Sequence, residues 1–458
     1  MNFEVTPMAA SRKSNPSPRR QHPPGCTSRK VPRVSAGGDC YHWLAVGVAL
    51  AAPMASAQEA LRNSIAGEAA AQARRLQLEP LPYTIKSGDF RLLATPALDV
   101  DWNDNIRLAK DNPEEDLIVR PTMGFIANYP LTQRNLLQLN VSVGYNEYVR
   151  HSDLSQWYIQ SGSELSFDVS VKDFLINFHD RFSYIQDSAQ EAAVANTGSY
   201  GTLQNSAGVN TTWDLEDVVL SLGYDHQNVM STAQEFNSQN HASEMVVSRA
   251  GLKLNPRLTT GLEGTAAFTS YEEKILNNNQ NYSAGLYADW QPGPALHVQP
   301  RGGYTITHFD LTSLSGFQPF PQPVRTSDLS SWYADLTVSH QVTEAITYSF
   351  SAGHEIRLGI QSDAIEDSYF RPAITWSVVR NVSLTTSFFY EHGNQGEGNI
   401  SGNFSETYDW YGGVLSVGYP VMKKLKMSMN YRLTLRSSDV PSREYAQNVV
   451  GLLLTYQL

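Results

Sequence analysis

The chain has 458 residues, with 45 Asp and Glu against 34 Lys and Arg, a net charge of -11 and only 2 cysteines. That acidic balance argues against nucleic acid as a partner. No run of 18 apolar residues marks a spanning helix, but a strand that crosses a membrane gives only half its residues to lipid, so a polar average does not exclude the membrane.

Residues 1–42 are basic and Pro-rich, and the uncharged run from Trp43 to Ala52 precedes Ala55-Ser56-Ala57. The run is too short to span and fits a secretory signal peptide cut after Ala57, with residues 1–42 an over-long leading region that points to a start codon further downstream. Cys26 and Cys40 would leave with it, so no disulfide or thiol chemistry is expected afterwards. A lipid-modified Cys follows the apolar run, whereas Cys40 precedes it. The predicted organisation is therefore 1–57 leader and signal, 58–89 a short periplasmic segment, and 90–458 a single barrel. Residues 58–79, rich in Ala, Glu and Arg ahead of Pro80 and Pro82, predict a tether or a short helix that could plug the lumen.

From Phe90 onward the chain reads as strands. In residues 424–436 the odd positions from Leu425 to Leu435 are apolar and the even ones polar or charged, a period of two that only an extended strand sorts onto two faces. Related patterns recur to Leu458. Eight short turns, at residues 130–135, 171–173, 214–216, 255–257, 291–295, 342–345, 379–381 and 420–423, alternate with nine longer polar connections, at 103–116, 150–156, 187–199, 230–240, 272–279, 311–330, 361–367, 392–405 and 437–443. This predicts an all-β fold, a transmembrane antiparallel up-and-down β-barrel of about 18 strands, with 16 to 20 open, and both mature termini on the short-turn, periplasmic side.

Parity assigns the faces. Leu137, Leu139, Val141, Val143 and Tyr145 should face lipid and Gln138, Asn140, Ser142 and Asn146 the lumen. Asp180 breaks the rule by sharing parity with Phe174, Ile176, Phe178, Phe182 and Tyr184: either a β-bulge turns it inward, which the cost of charge in lipid favours, or an acid faces lipid. Tyr129, Trp213, Trp290, Trp376, Tyr419 and Tyr456 near the short turns, and Trp102, Tyr145, Tyr184, Tyr224, Tyr282, Trp332 and Tyr390 toward the long loops, predict two aromatic belts.

At the end of the first strand, Val100-Asp101-Trp102-Asn103-Asp104-Asn105-Ile106 resembles the strand-to-loop segment of the outer-membrane β-barrel porin family of Gram-negative bacteria. The resemblance covers seven residues and implies an outer-membrane porin barrel with no enzymatic residues. The last strand, Val450 to Leu458, apolar at Val450, Leu452, Leu454, Tyr456 and Leu458, resembles the carboxy-terminal signal read by the barrel-insertion machinery, with Leu458 standing where Phe is usual.

Inward parity puts Arg120, Arg181, Arg249, Arg301, Arg357, Arg371, Arg432 and Arg436 on the lumen wall with Asp99, Glu164, Asp168, Glu263, Asp289, Asp335 and Glu355. Arg120, Arg181, Arg249, Arg301, Arg357, Arg371, Arg432, Arg436, Asp99 and Glu355 are the selectivity candidates, because fixed charge on a wet wall biases which solutes pass. The alternative is that they pair across strands and only solvate the wall. Tyr287, Phe309, Tyr333 and Phe389 share that parity and could form a stacking track for sugars. The longest loop, 311–330, with Pro319, Pro321 and Pro323, could fold inward as a constriction or lie on the surface.

Catalysis has little support: H-E-x-x-H, G-x-S-x-G and paired-Cys motifs are missing, no cofactor or metal is expected, and Glu391-His392 with Ser401 departs from the pattern of outer-membrane lipid hydrolases. The expected function is passive diffusion of small hydrophilic solutes through a water-filled outer-membrane barrel. A conduit or accessory barrel for surface polysaccharide export is the alternative and a lipid hydrolase the remoter one. The expected partners are outer-membrane lipid, the insertion machinery and small solutes, with oligomerisation left open.

Overall fold

A computed structural model describes residues 82–458 except 274, 311–327, 380 and 397–404. The strands are β1 (Ile85–Ser87), β2 (Phe90–Asn103), β3 (Asp116–Pro130), β4 (Asn135–Tyr148), β5 (Gln156–Val171), β6 (Phe174–Ile185), β7 (Thr202–Leu215), β8 (Val218–Ser231), β9 (His241–Asn255) and β10 (Leu258–Tyr271). They continue as β11 (Asn279–Gly293), β12 (Leu296–Phe309), β13 (Leu329–Gln341), β14 (Ile346–Leu358), β15 (Ala364–Val379), β16 (Val382–Gln395), β17 (Glu406–Met422), β18 (Leu425–Ser438) and β19 (Tyr445–Tyr456). From β2 onward each pairs antiparallel with the next, and β19 returns to β2 from Val449↔Asn103 to Thr455↔Ala97. Closure leaves no free sheet edge, which a barrel wall facing lipid requires. Short β1 pairs only with the start of β2 and sits on the rim, where Thr84 Oγ1 donates to the Leu458 carbonyl at 3.2 Å.

The turns fall where the alternation breaks, so the eighteen-strand reading of the sequence holds. At the two-residue turns after β5 and β7, Lys172 and Glu216 take φ of 53° and 59°, the left-handed backbone such tight reversals need.

Cross-strand partners share a face, so the register sorts side chains directly. Leu286 is 63% exposed, Leu262 62% and Met429 58%, and all three point outward. A surface of this kind is stable only against lipid. Both aromatic belts lie on this outer face. Every Lys and Arg of β2–β19 among the described residues has the opposite, inward parity.

Asp180 corrects one expectation. β6 pairs with β7 without interruption from Phe174↔Trp213 to Ile185↔Thr202, so no bulge turns Asp180 inward and it remains on the outer face. The irregularity is in β5 instead, between Ile159 and Ser163, where Gly162 takes φ of 86°. Its two additional residues leave the parity of β5 unchanged on either side, which is why the sequence pattern of β6 showed only the acid.

The inner wall is filled unevenly along its height. In β16 the inward residues Phe389, Glu391 and Gln395, toward the long loops, are buried, while Ser383, Thr385 and Ser387, toward the short turns, are partly open. The long-loop half of the barrel is thus packed and the short-turn half is a polar vestibule. Inward tyrosines lie flat on that wall because glycines make room for them. A Cβ at Gly251 would collide with the Tyr287 hydroxyl, one at Gly285 with that of Tyr333, and one at Gly393 with the Tyr408 ring. Tyr287, Phe309, Tyr333 and Phe389 are each no more than 8% exposed, so the structure does not present them as a stacking track for sugars. Gly285→Val is accordingly expected to destabilise the folded barrel by about 1–3 kcal/mol through overpacking, read as a lower midpoint in heat-modifiable gel mobility.

Candidate lumenal constriction

The loop joining β6 to β7 is the longest fully described connection, residues 186–201, and it carries an apolar stretch, Ala192-Ala193-Val194-Ala195, that a solvated loop would not favour. It folds into the barrel. Asp187 caps a 3-10 turn at Ser188–Gln190 by accepting from the Ala189 amide, and Ala189 and Ala192 then pack with Leu108, Phe389, Tyr408, Trp410 and Tyr445. Ala193, Val194 and Tyr200 form a second cluster with Phe236, Ile360 and Ile365. These partners include β15, β16 and β17, seven to nine strands round the closed ring from β6 and β7, so the loop reaches the opposite wall.

Charged contacts fix that crossing. Glu191 Oε1 meets Arg357 Nη1 of β14 at 3.1 Å, Arg436 Nε of β18 donates to the Ala192 carbonyl at 2.7 Å, and Arg443 donates to the Ala193 carbonyl. Asp187 meets Arg432 Nη1 at 3.4 Å. Partial burial pushes the Asp187 carboxyl up, but the Arg432 and Arg120 charges outweigh this and hold it below the ordinary carboxylate range.

Arg357 is the centre of the network. Its guanidinium also meets Asp367 at 3.2 Å and Glu391 at 3.0 Å and donates to the Tyr408 hydroxyl at 2.9 Å, while Arg371 meets the other Glu391 oxygen at 3.2 Å. The Arg357 side chain is 7% exposed and that of Arg371 28%, so only Arg371 of the two has an appreciable water-facing surface. Glu355 stands beside Asp367 in the register. Around Arg357 and Arg371 stand four carboxyl groups, those of Glu191, Glu355, Asp367 and Glu391.

The remaining sequence candidates line the wall in pairs. Arg120 of β3 meets Asp99 at 3.5 Å and also Asp101; Arg181 of β6 meets Glu164 at 3.1 Å; Arg301 of β12 meets Asp335 at 3.4 Å. Arg249 of β9 lies 3.9 Å over the Tyr287 ring and opposite Glu263 in the register. With Arg371 on β15 and Arg432 on β18, an arginine comes inward on every third strand. Asp168 instead begins a hydrogen-bonded chain through Asn177 and His179 to Asp225. Asp289 accepts from His297 at 2.9 Å. Arg436 is fully buried against Glu406 at 2.7 Å, and Glu406 also holds Arg443 at 2.9 Å. Arg436 is therefore an anchor for the loop.

Asp187, Glu191, Glu406 and Arg443 were not among the residues singled out from the sequence. The apolar stretch inside the polar loop was the available signal. Most of loop 311–330, the segment 58–79 and Ser401 lie outside the described residues. Glu391 and His392 divide across the wall, Glu391 on Arg357 inside and His392 on Asp409 outside at 2.9 Å, so they form no shared constellation.

The closed ring, the apolar outer surface and the charged interior decide the architecture. The chain is an eighteen-stranded transmembrane β-barrel. No family model and no curated protein matches its sequence. Among solved structures, a BenF-like porin from Pseudomonas fluorescens Pf-5 is similar at 10% identity and a TM-score of 0.46, over 81% of this chain and 99% of that one. Acinetobacter baumannii OccAB3 is similar at 11% identity and a TM-score of 0.45, over 80% and 99%. Pseudomonas aeruginosa OpdK, solved with vanillate, is similar at 10% identity and a TM-score of 0.43, over 80% and 98%.

Proposed function

We propose that the barrel is a porin of the outer membrane, passing small hydrophilic solutes by diffusion through a lumen narrowed by residues 186–201. The observation that carries this reading is the placement of charge: ion-paired arginines and polar residues line the inner wall while the outer wall is apolar. A ring of eighteen strands is wide enough for an aqueous channel, and a loop pinned across it sets the size limit. In this reading residues 1–57 are removed on export, the mature termini face the periplasm, and Val450 to Leu458 is the strand presented to the insertion machinery.

Liposomes containing the purified protein are expected to swell in isotonic monosaccharide and progressively less as neutral sugars lengthen. Absence of swelling with any sugar, from protein shown to be folded by its gel mobility, would contradict the proposal.

A further inference from the structure

β13 and β14 part on the long-loop side of the barrel. Their register ends at Ala334↔His354, although β13 begins at Leu329 and β14 continues to Leu358. Beyond that point residues 329–333 stay paired with β12 and residues 355–358 with β15, so each strand keeps its other neighbour while the two leave each other. Among the described residues, every other neighbouring pair of the ring holds its register on this side to within one residue of the end of at least one partner.

Side chains show where β14 goes. Ile356 has the outward parity of Phe350 on the same strand, yet it is 4% exposed and packs with Ala364 and with Phe309, an inward residue of β12. β14 thus leaves the wall above His354 and turns into the lumen. Ser331, inward by its pairing with Thr305, donates to Oε1 of outward Glu366 on β15 at 3.1 Å. That bond is a strut across the line that β14 has vacated, from the inner side of the wall to the outer.

The gap opens at the level of the long-loop aromatic belt, where headgroups meet hydrocarbon and strand edges need not be sealed. At its outer mouth Trp332 stacks on His354 with ring centroids 4.1 Å apart, beside outward Tyr304 and Ile306. At its inner mouth stand Leu329, Phe309, Ile356 and Ala364. A polar solute would give up its water between these two apolar surfaces for little return, whereas an apolar solute gains by leaving water. We propose that the β13–β14 seam is a lateral portal through which small apolar solutes pass between the long-loop mouth of the lumen and the outer leaflet. Such a portal requires the barrel to sit in the membrane, and does not require an aqueous pore below the constriction.

The test uses the full chain with Cys26→Ser and Cys40→Ser, exported by cells with an intact outer membrane, and the dye N-phenylnaphthylamine, which fluoresces on entering hydrocarbon. Cells carrying the barrel should take up the dye several-fold faster than cells without it. Ser331→Cys with Glu366→Cys, bridged across the strut by a short bismaleimide, should return uptake to the level without the barrel, while Ser331→Cys alone, treated alike, keeps the faster rate. Single-channel conductance of the bridged protein should be unchanged. Dye uptake by a barrel that carries no current would support the portal and contradict the aqueous pore. No excess uptake with the unsubstituted strands, uptake indifferent to a bridge confirmed by mass, or equal loss of uptake and conductance on bridging would each overturn the proposal.

Discussion

Replacing Arg357 by Met is expected to open the lumen and loosen residues 186–201. The substitution leaves Glu191, Asp367 and Glu391 without the guanidinium that joins them, in a site where each carboxylate side chain is no more than 3% exposed. Removing one partner of a buried ion pair costs about 3–5 kcal/mol, because the remaining charge is desolvated and unbalanced. The cheapest relief is for Glu191 to leave with its loop, since Asp367 and Glu391 belong to paired strands. Single-channel recording in planar bilayers should show higher conductance with added flicker, and a reversal potential shifted toward greater cation preference. Arg371→Met should shift the reversal potential in the same direction with a smaller change in conductance, because Arg371 touches Glu391 and not the loop. Arg357→Met with wild-type conductance would show that Arg436 and Arg443 hold the loop without it.

A pair of neighbours on β17 tests which face meets lipid. Leu415 is 44% exposed on the outer face, and Ser416, opposite Asn430, points into the lumen. Leu415→Arg should lose about 2–4 kcal/mol of folding stability in the membrane, whereas Ser416→Arg keeps its charge hydrated and should assemble near the wild-type level. Membrane yield and heat-modifiable mobility report both. Equal assembly of the two variants would reverse the faces assigned to β17.

Much of this architecture was legible in the alternation of side chains. Residues 425–435 sort lipid from lumen because a strand has period two, and turns such as Lys172-Asp173 and Glu216-Asp217 interrupt that alternation where the chain reverses. Inward parity likewise placed Arg120, Arg181, Arg301 and Arg371 on the wall, since closure of the ring preserves parity from strand to strand. Parity says nothing about height or about what crosses the lumen. Arg371 and Arg436 therefore looked alike in the sequence, although one is partly open to water and the other is sealed against Glu406. The alternation marks residues 187–199 only as one of nine long polar connections, with nothing to say that they cross the lumen. The carboxylates and carbonyls of this loop are neutralised by arginines more than 150 residues away, a pairing that no local pattern encodes. Asp180 misled for the opposite reason: a local rule against charge in lipid predicted a bulge, and the unbroken ladder with β7 shows the acid was kept on the outside.

An aqueous pore narrowed by residues 186–201 is tested most directly by the conductance of single channels before and after that loop is shortened. The wild-type chain should form stable channels in potassium chloride, and replacing residues 188–200 by a short Gly-Ser link should raise the unit conductance several-fold while the barrel keeps its heat-modifiable mobility. Folded wild-type protein that carries no current, or a shortened loop that leaves the unit conductance unchanged, would contradict the account.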